Sequence, residues 1–161
     1  MSSDMRVSAG LMPSMFDRLT DPDSGGTSAM PGYTLKQMMD VVRRDLEKLL
    51  NTRQCFRDLK DDYPELHNTL LTFGLPDFGS ISASTLKEQR DLGQLIADQV
   101  MKFEPRLRKV RAIPELDHEL SKLLRVRYHI EATLAVDPAP EVAFETVLEL
   151  TTGHTSVKGI K

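Results

Sequence analysis

Three neighbouring residues in the middle of the chain are placed as if for recognition: Glu104, Pro105 and Arg106, within FEPRL. A long helical pattern ends there. A helix C-terminus carries about half a negative charge, so a carboxylate at that point is disfavoured by a few tenths to about 1 kcal/mol. Lys102 and Arg106 are the cations near enough in sequence to offset it. Proline fixes its own backbone angle and so holds Glu104 and Arg106 at a defined mutual angle. Arginine offers a rigid fork of donors that grips carboxylates or carbonyls at two points. The residue types therefore fit either a helix stop with a surface ion pair or a stiff corner that meets a partner's polar backbone.

Other candidate chemistry is weaker. Cys55 lies between Arg53 and Arg57, which would lower a thiol pKa, but no oxyanion motif accompanies it. His67, His118, His129 and His154 have no close ligand spacing, so no metal site is expected. No phosphate loop or dinucleotide fingerprint is present, and no cofactor is expected. Glycoside hydrolysis generally needs two carboxylates flanking the scissile bond. Glu47, Glu65, Asp77, Glu88 and Glu104 are available, but none sits in a motif that raises its pKa beside a sugar cleft. With no Trp and 6% aromatic residues, the chain makes a poor sugar platform. No catalytic residue is assigned.

The bulk properties agree with a binding role. A length of 161 residues suits one domain. The formal charge of −3 argues against a general nucleic-acid coat. The basic segment RLRKVR, Arg106 to Arg111, fits the solvated face of a strand or part of a protein contact better than an RNA or membrane surface. One cysteine allows no disulfide within the chain. No apolar segment approaches the ~20 residues that span a bilayer, and the N-terminus lacks a secretory pattern. A soluble cytoplasmic protein is the expectation.

The elements that must position the corner follow from periodicity. Residues 1–33 are rich in Ser, Gly, Met, Pro and Asp. Within them, 12–19 forms a short amphipathic turn in which Met15, Phe16 and Leu19 supply the apolar side. It docks on its own domain or on another protein, because a helix this short is not stable alone. The segment from Asp21 to Gly32 is a flexible linker. Residues 34–161 are expected to form a single domain. Leu35, Met38, Met39, Val42, Leu46, Leu49 and Leu50 make one stripe of a helix over Leu35–Asn51, with Thr34 as its cap. Pro64, Gly74, Pro76 and Gly79 break the next segment, where Leu66, Leu70 and Leu71 suggest a turn or two and Phe73, Leu75 and Phe78 reach the core. Thr85 and Glu88 make a capping box for a second helix. Its apolar face is Leu86, Leu92, Leu95, Ile96, Val100 and Phe103, and Pro105 stops it near Phe103.

Beyond this the period changes to two. Val110–Ile113 is a short strand. Leu124–Leu134 and Glu141–Leu150 alternate cleanly and form a hairpin with one buried face. Val157 marks a further strand. The fold class is α+β: two main helices on a small antiparallel sheet with a C-terminal hairpin. Such a hairpin leaves an exposed edge, and unpaired edge groups invite an added strand. The strand carrying Val142, Phe144, Thr146 and Leu148, or the tail beyond it, is the expected docking edge.

RRDLEKLLNTR (Arg43–Arg53), YPEL (Tyr63–Leu66), GLPDF (Gly74–Phe78) and FEPRL, in that order, resemble the TssE family. LMPSMFDRL resembles that family's N-terminal segment and AFETVLEL its last long strand. This is the baseplate subunit of the bacterial type VI secretion system, similar to a wedge protein of contractile-tailed phages. The resemblance implies a structural connector without cofactor or enzymatic activity. Its Glu-Pro-Arg motif, here Glu104, Pro105 and Arg106, would dock on a helical bundle of the wedge proteins TssF and TssG, with TssK on the same wedge. Its sheet would template the first ring of sheath subunits. The resemblance further implies a cytoplasmic baseplate at the inner face of the cytoplasmic membrane, without membrane insertion. It would also aim the awkward glutamate at a partner. The competing expectation is a peptidoglycan-cleaving, lysozyme-like hydrolase, a label that the family has carried.

Overall fold

Two reciprocal caps launch the two long helices. In the computed structural model, Thr34 Oγ1 accepts from the Gln37 amide at 3.3 Å, and Gln37 Oε1 accepts from the Thr34 amide at 2.9 Å. The same box joins Thr85 and Glu88 at 3.2 and 2.9 Å. Each pair satisfies amides that a helix start leaves without partners. The structure describes residues 15–20, 33–54, 63–77, 85–115, 125–137, 139–149 and 152–160. Cys55, Phe78, His118 and the linker at 21–32 lie outside them.

The described helices are α1 (Met15–Thr20), α2 (Leu35–Asn51) and α3 (Leu86–Phe103). Short 3₁₀ turns at Pro64–Asn68 and Leu70–Thr72 lie between α2 and α3. Four strands follow: β1 (Leu107–Glu115), β2 (Arg125–Leu134), β3 (Glu141–Glu149) and β4 (Thr155–Ile160). They pair antiparallel in the order β1-β2-β3-β4. The architecture is the expected α+β arrangement, and the tail segment around Val157 is a full member of the sheet.

Both long helices lie on one face, α3 against β1 and α2 against β4. The core forms where their stripes meet the inward side chains of the strands. Val42, Leu46, Leu50, Ile96, Val100, Tyr128, Ile130, Phe144 and Leu148 are fully buried there. Each such side chain contributes roughly 1.5–3 kcal/mol by leaving water. Tyr128 keeps its one polar atom satisfied, its hydroxyl donating to the Gln89 carbonyl at 3.0 Å. Burial raises its pKa well above the ordinary tyrosine value. Gly93 lets α3 come close to β1: a β-carbon there would lie 2.6 Å from the Ala112 carbonyl oxygen.

The opposite face is solvated and carries cross-strand ion pairs. Arg125 meets Glu149 at 2.8 Å, and Arg127 meets Glu145 at 3.1 Å and Glu115 at 3.3 Å. Arg108, Lys109 and Arg111 of the basic segment are exposed along β1. The ladder slips between Arg108 and Arg111, with Lys109 at φ 54°. That bulge and Pro114 suit an edge strand, where a missing amide breaks no ladder bond.

Leu66, Leu70 and Leu71 form the two turns expected of them, with Leu70 83% exposed. Two local expectations fail. Leu86, the first residue of α3, is 47% exposed and not part of the buried face. More importantly, β3 is not an edge. It pairs with β2 on one side and β4 on the other. Val142, Phe144, Thr146 and Leu148 are all buried under the helices. The tail supplies the free edge instead, because β4 pairs outside β3.

Candidate partner-docking site

α3 ends at Phe103, and Glu104 is its C-cap, with its amide donating to the Val100 carbonyl at 2.8 Å. Pro105 cannot extend the helix. The chain reverses through Glu104–Arg106 and enters β1 at Leu107, whose amide donates to the Glu104 carbonyl at 3.0 Å. The three-residue corner is thus clamped between a helix and a strand that pack on each other.

The side chains at the corner are arranged differently from the simplest expectation. Glu104 is turned inward, with its side chain only 6% exposed, so it is not aimed outward at a partner. Its Oε1 accepts from Arg106 Nε at 2.6 Å and from the Arg106 amide at 3.2 Å. Its Oε2 accepts from Arg106 Nη2. This local bidentate pair neutralises the charge that the helix dipole disfavours. Arg106 Nη2 also reaches Asp45 Oδ2 on α2, at 2.7 Å. Burial opposes the charge on Arg106, but the hydrogen bonds to Glu104 and Asp45 outweigh it and hold its pKa above the ordinary arginine value. Pro105 is exposed and Arg106 is half-buried. The corner therefore presents a proline face and part of a guanidinium. Lys102 does not join it: its ammonium donates to Thr72 Oγ1 at 3.0 Å and lies 5.1 Å from the Phe103 ring centroid.

The charges continue beyond the corner. Asp45 Oδ1 lies 3.3 Å from Arg44 Nε. The other two Arg44 nitrogens grip the Asp17 carboxylate at 2.8 and 3.2 Å. A chain of alternating charges, Glu104–Arg106–Asp45–Arg44–Asp17, so connects the corner through α2 to α1. Leu19 on α1 is exposed, and the side chains of Met15 and Phe16 lie outside the described residues. Sequence reasoning missed Asp45 and Asp17. Both are acidic residues opposite an arginine, but nothing in the sequence says that α2 passes the end of α3.

Beside the corner lies a groove of about 340 Å³. Leu46, Leu49, Phe73, Phe103 and Pro105 give it an apolar lining, with Lys48, Asp45 and Arg106 among its polar groups. Phe73 and Phe103 meet edge to face, with centroids 5.2 Å apart.

The second candidate surface is the free edge of β4. The Glu149 amide donates to the His154 carbonyl at 2.9 Å, which fixes the alternation of the ladder. Thr155, Val157 and Gly159 then have outward N–H and C=O groups. Asn51 at the end of α2 covers the first of these: its amide donates to the Thr155 carbonyl at 2.7 Å and accepts from the Thr155 amide at 2.8 Å. Arg53 Nη2 donates to the Gly153 carbonyl at 2.7 Å and secures the preceding turn.

Three of the carboxylates weighed for hydrolysis are committed elsewhere. Glu88 caps α3, Glu47 faces Arg43 at 3.5 Å, and Glu104 is engaged by Arg106. Among the described residues no cluster of His, Cys, Asp and Glu could hold a metal ion. No described helix is long and apolar enough to cross a membrane.

The family model described as baseplate wedge protein gp25 matches residues 36–139. The chain belongs to that family. It is thereby a structural baseplate protein, one that works by contact with other baseplate components. The match begins in the first turn of α2 and takes in α3, the Glu-Pro-Arg corner and β1 and β2. No curated protein and no solved structure matches the chain.

Proposed function

We propose that this baseplate wedge protein is the TssE-type subunit of a contractile injection machine, the type VI secretion system. It joins the wedge to the first ring of the sheath and templates sheath assembly. It works in the cytoplasm, in a baseplate at the inner face of the cytoplasmic membrane. The corner at Glu104–Arg106 meets the helical core made by TssF and TssG, in the same wedge as TssK. The observation that carries this reading is the pairing of a rigid, partly exposed Pro105–Arg106 corner with an apolar groove. A central apolar anchor beside a desolvated arginine is the composition of an interface hot spot. Glu104 acts through Arg106, by fixing its fork, and makes no partner contact of its own.

The sheath side falls to the tail. The outward groups of Val157 and Gly159 on β4 are positioned to pair with an incoming strand, the backbone pairing supplying part of the affinity and alternate side chains the rest together with the selectivity. This replaces Val142, Phe144, Thr146 and Leu148, which lie within the sheet.

Arg106→Ala alone would leave the buried Glu104 carboxylate without its cation, a change that costs several kcal/mol in a buried pair. The double variant E104Q/R106Q removes both charges and keeps hydrogen-bonding groups at both positions. It is expected to keep its melting temperature within a few degrees and to lose copurification of TssF and TssG. Undiminished capture by the folded double variant would refute the docking role of the corner. Gly159→Pro deletes one outward amide and leaves the β3–β4 ladder intact. It is expected to block sheath assembly in cells, and normal sheaths would refute the edge assignment.

A further inference from the structure

We propose that Arg43 and Glu47 of α2 select the strand that adds to the free edge of β4. The strand they fit is antiparallel to β4 and carries an acidic residue followed two positions later by a basic one. The inference deepens the edge-pairing reading above and rests on it for the identity of the partner. It can be tested on the isolated protein.

The geometry comes from the way α2 lies along β4. The two elements pack on each other and run in opposite directions. Asn51, at the end of α2, bonds both outward groups of Thr155 at the start of β4. Arg43, about two turns earlier, lies over Gly159, where a β-carbon would stand 3.9 Å from Arg43 Cδ. Two helical turns cover about 12 Å, and the strand from Thr155 to Gly159 covers about 13 Å, so helix and strand keep step. The same spacing puts Glu47 beside Val157. Arg43, Glu47 and Asn51 are thus successive members of one i, i+4 row that stands along the free edge. The side chains of Arg43 and Glu47 face each other at 3.5 Å and remain 37% and 38% exposed, so both are accessible to a strand laid beside them.

The alternation of the sheet decides what these two residues meet. Thr155 and Val157 have outward backbone groups and side chains buried on the helix side, and Gly159 shares their phase. In a paired strand the residue directly opposite has its side chain on the same face. The residues of an incoming strand opposite Gly159 and Val157 therefore point toward α2, the first at Arg43 and the second at Glu47. Opposite charges at such positions are favourable and like charges unfavourable. The four strands pair antiparallel throughout, and that pairing is the more stable per residue. An antiparallel newcomer passes Gly159 before Val157, so it meets the guanidinium first and the carboxylate second. The matching order along it is Glu or Asp, any residue, then Lys or Arg.

The test compares the parent protein with R43E/E47R, which keeps the ion pair and the net charge and reverses only the order of the charges. A glutamate four residues before a cation suits a helix, so the variant should hold its melting temperature. Two capped peptides are titrated, Thr-Glu-Val-Lys-Thr and Thr-Lys-Val-Glu-Thr, which differ only in that order. The amide signals of Val157 and Gly159 report binding by NMR. The parent is expected to prefer the Glu-first peptide by about two- to fivefold, the scale of exposed ion pairs. R43E/E47R is expected to prefer the Lys-first peptide by a similar factor. Every other charge near the edge acts on both proteins alike and cannot produce a reversal. The same preference in both proteins, or a parent preference for the Lys-first peptide, overturns the inference. Absence of shifts with either peptide at about 10 mM also overturns it. Should R43E/E47R fail to fold, R43Q/E47Q carries the test, and the preference of the parent must then vanish. The Gly159→Pro sheath experiment keeps the two readings apart. Sheaths lost in that variant, with no reversal between the peptides, would sink only the charge order. Normal sheaths, with the reversal observed, would sink only the sheath reading.

Discussion

Replacing Gly93 by alanine sets two effects of known sign against each other. Alanine favours a helix over glycine by about 1 kcal/mol, and Gly93 lies in the middle of α3. A propensity argument alone therefore expects stabilisation. The packing argument expects the reverse. The new β-carbon would stand 2.6 Å from the Ala112 carbonyl oxygen and 3.3 Å from Tyr128 Cε1. The first obstacle is backbone of β1, whose Ala112 is paired with Ile130 of β2, so it cannot swing aside as a flexible side chain would. Overpacking of this kind typically costs about 1–3 kcal/mol, and a fixed backbone obstacle puts this site toward the upper end. Subtracting the propensity gain leaves a net loss of about 1–2 kcal/mol. For a chain of this size, that is a drop of about 2–8 °C in melting temperature. The assay is thermal unfolding followed by circular dichroism. Gln94→Ala, one position along on the exposed side, serves as control and should shift stability by no more than about 0.5 kcal/mol. A G93A protein that melts at or above the parent temperature would refute the claim that close approach of α3 to β1 requires a glycine here.

Further expectations address single contacts. Tyr128→Phe leaves the Gln89 carbonyl without the buried hydroxyl and should lower the unfolding free energy by about 1 kcal/mol in urea titration. Gly153→Ala should destabilise the β3–β4 turn, since the residue has φ 65° and its β-carbon would fall on the Arg53 guanidinium. Amide exchange in β4 should then rise more than in β2. The Glu149 pKa is lowered by hydrogen bonds from Thr152 and then from Arg125. A depressed carboxylate contributes stability that is present above the unfolded pKa and is lost as pH falls through the folded one. Thr152→Val should raise the Glu149 midpoint in an NMR titration and so move that loss to higher pH.

The elements were largely legible because their signals are local. The α2 stripe and the proline after α3 fix both helix ends, and the alternation in β2 and β3 marks both strands and their buried faces. What could not be read was which strand lies at the edge. A strand with one apolar face looks alike whether it has one neighbour or two, and β3 gained its second neighbour only because the short tail pairs beside it. The corner shows the same division. Its three residues were visible as a motif, and the stiffness of Glu104–Pro105–Arg106 followed from covalent chemistry. The inward turn of Glu104 was not legible. It depends on Asp45, 61 residues away from Arg106, and on the crossing of α2 past the end of α3. The resemblance even suggested the opposite direction for that carboxylate.

The amide of Asn51 has a consequence for how long a visiting strand can be. By filling both hydrogen-bonding sites of Thr155, a side chain plays the part of a peptide and closes that end of the rim. Along the described residues two open rungs remain, at Val157 and Gly159. So short a berth cannot hold a guest by main-chain bonds alone, and it gives a second copy of this chain little to zip onto. Whatever settles there must bring matching side chains as its ticket of entry.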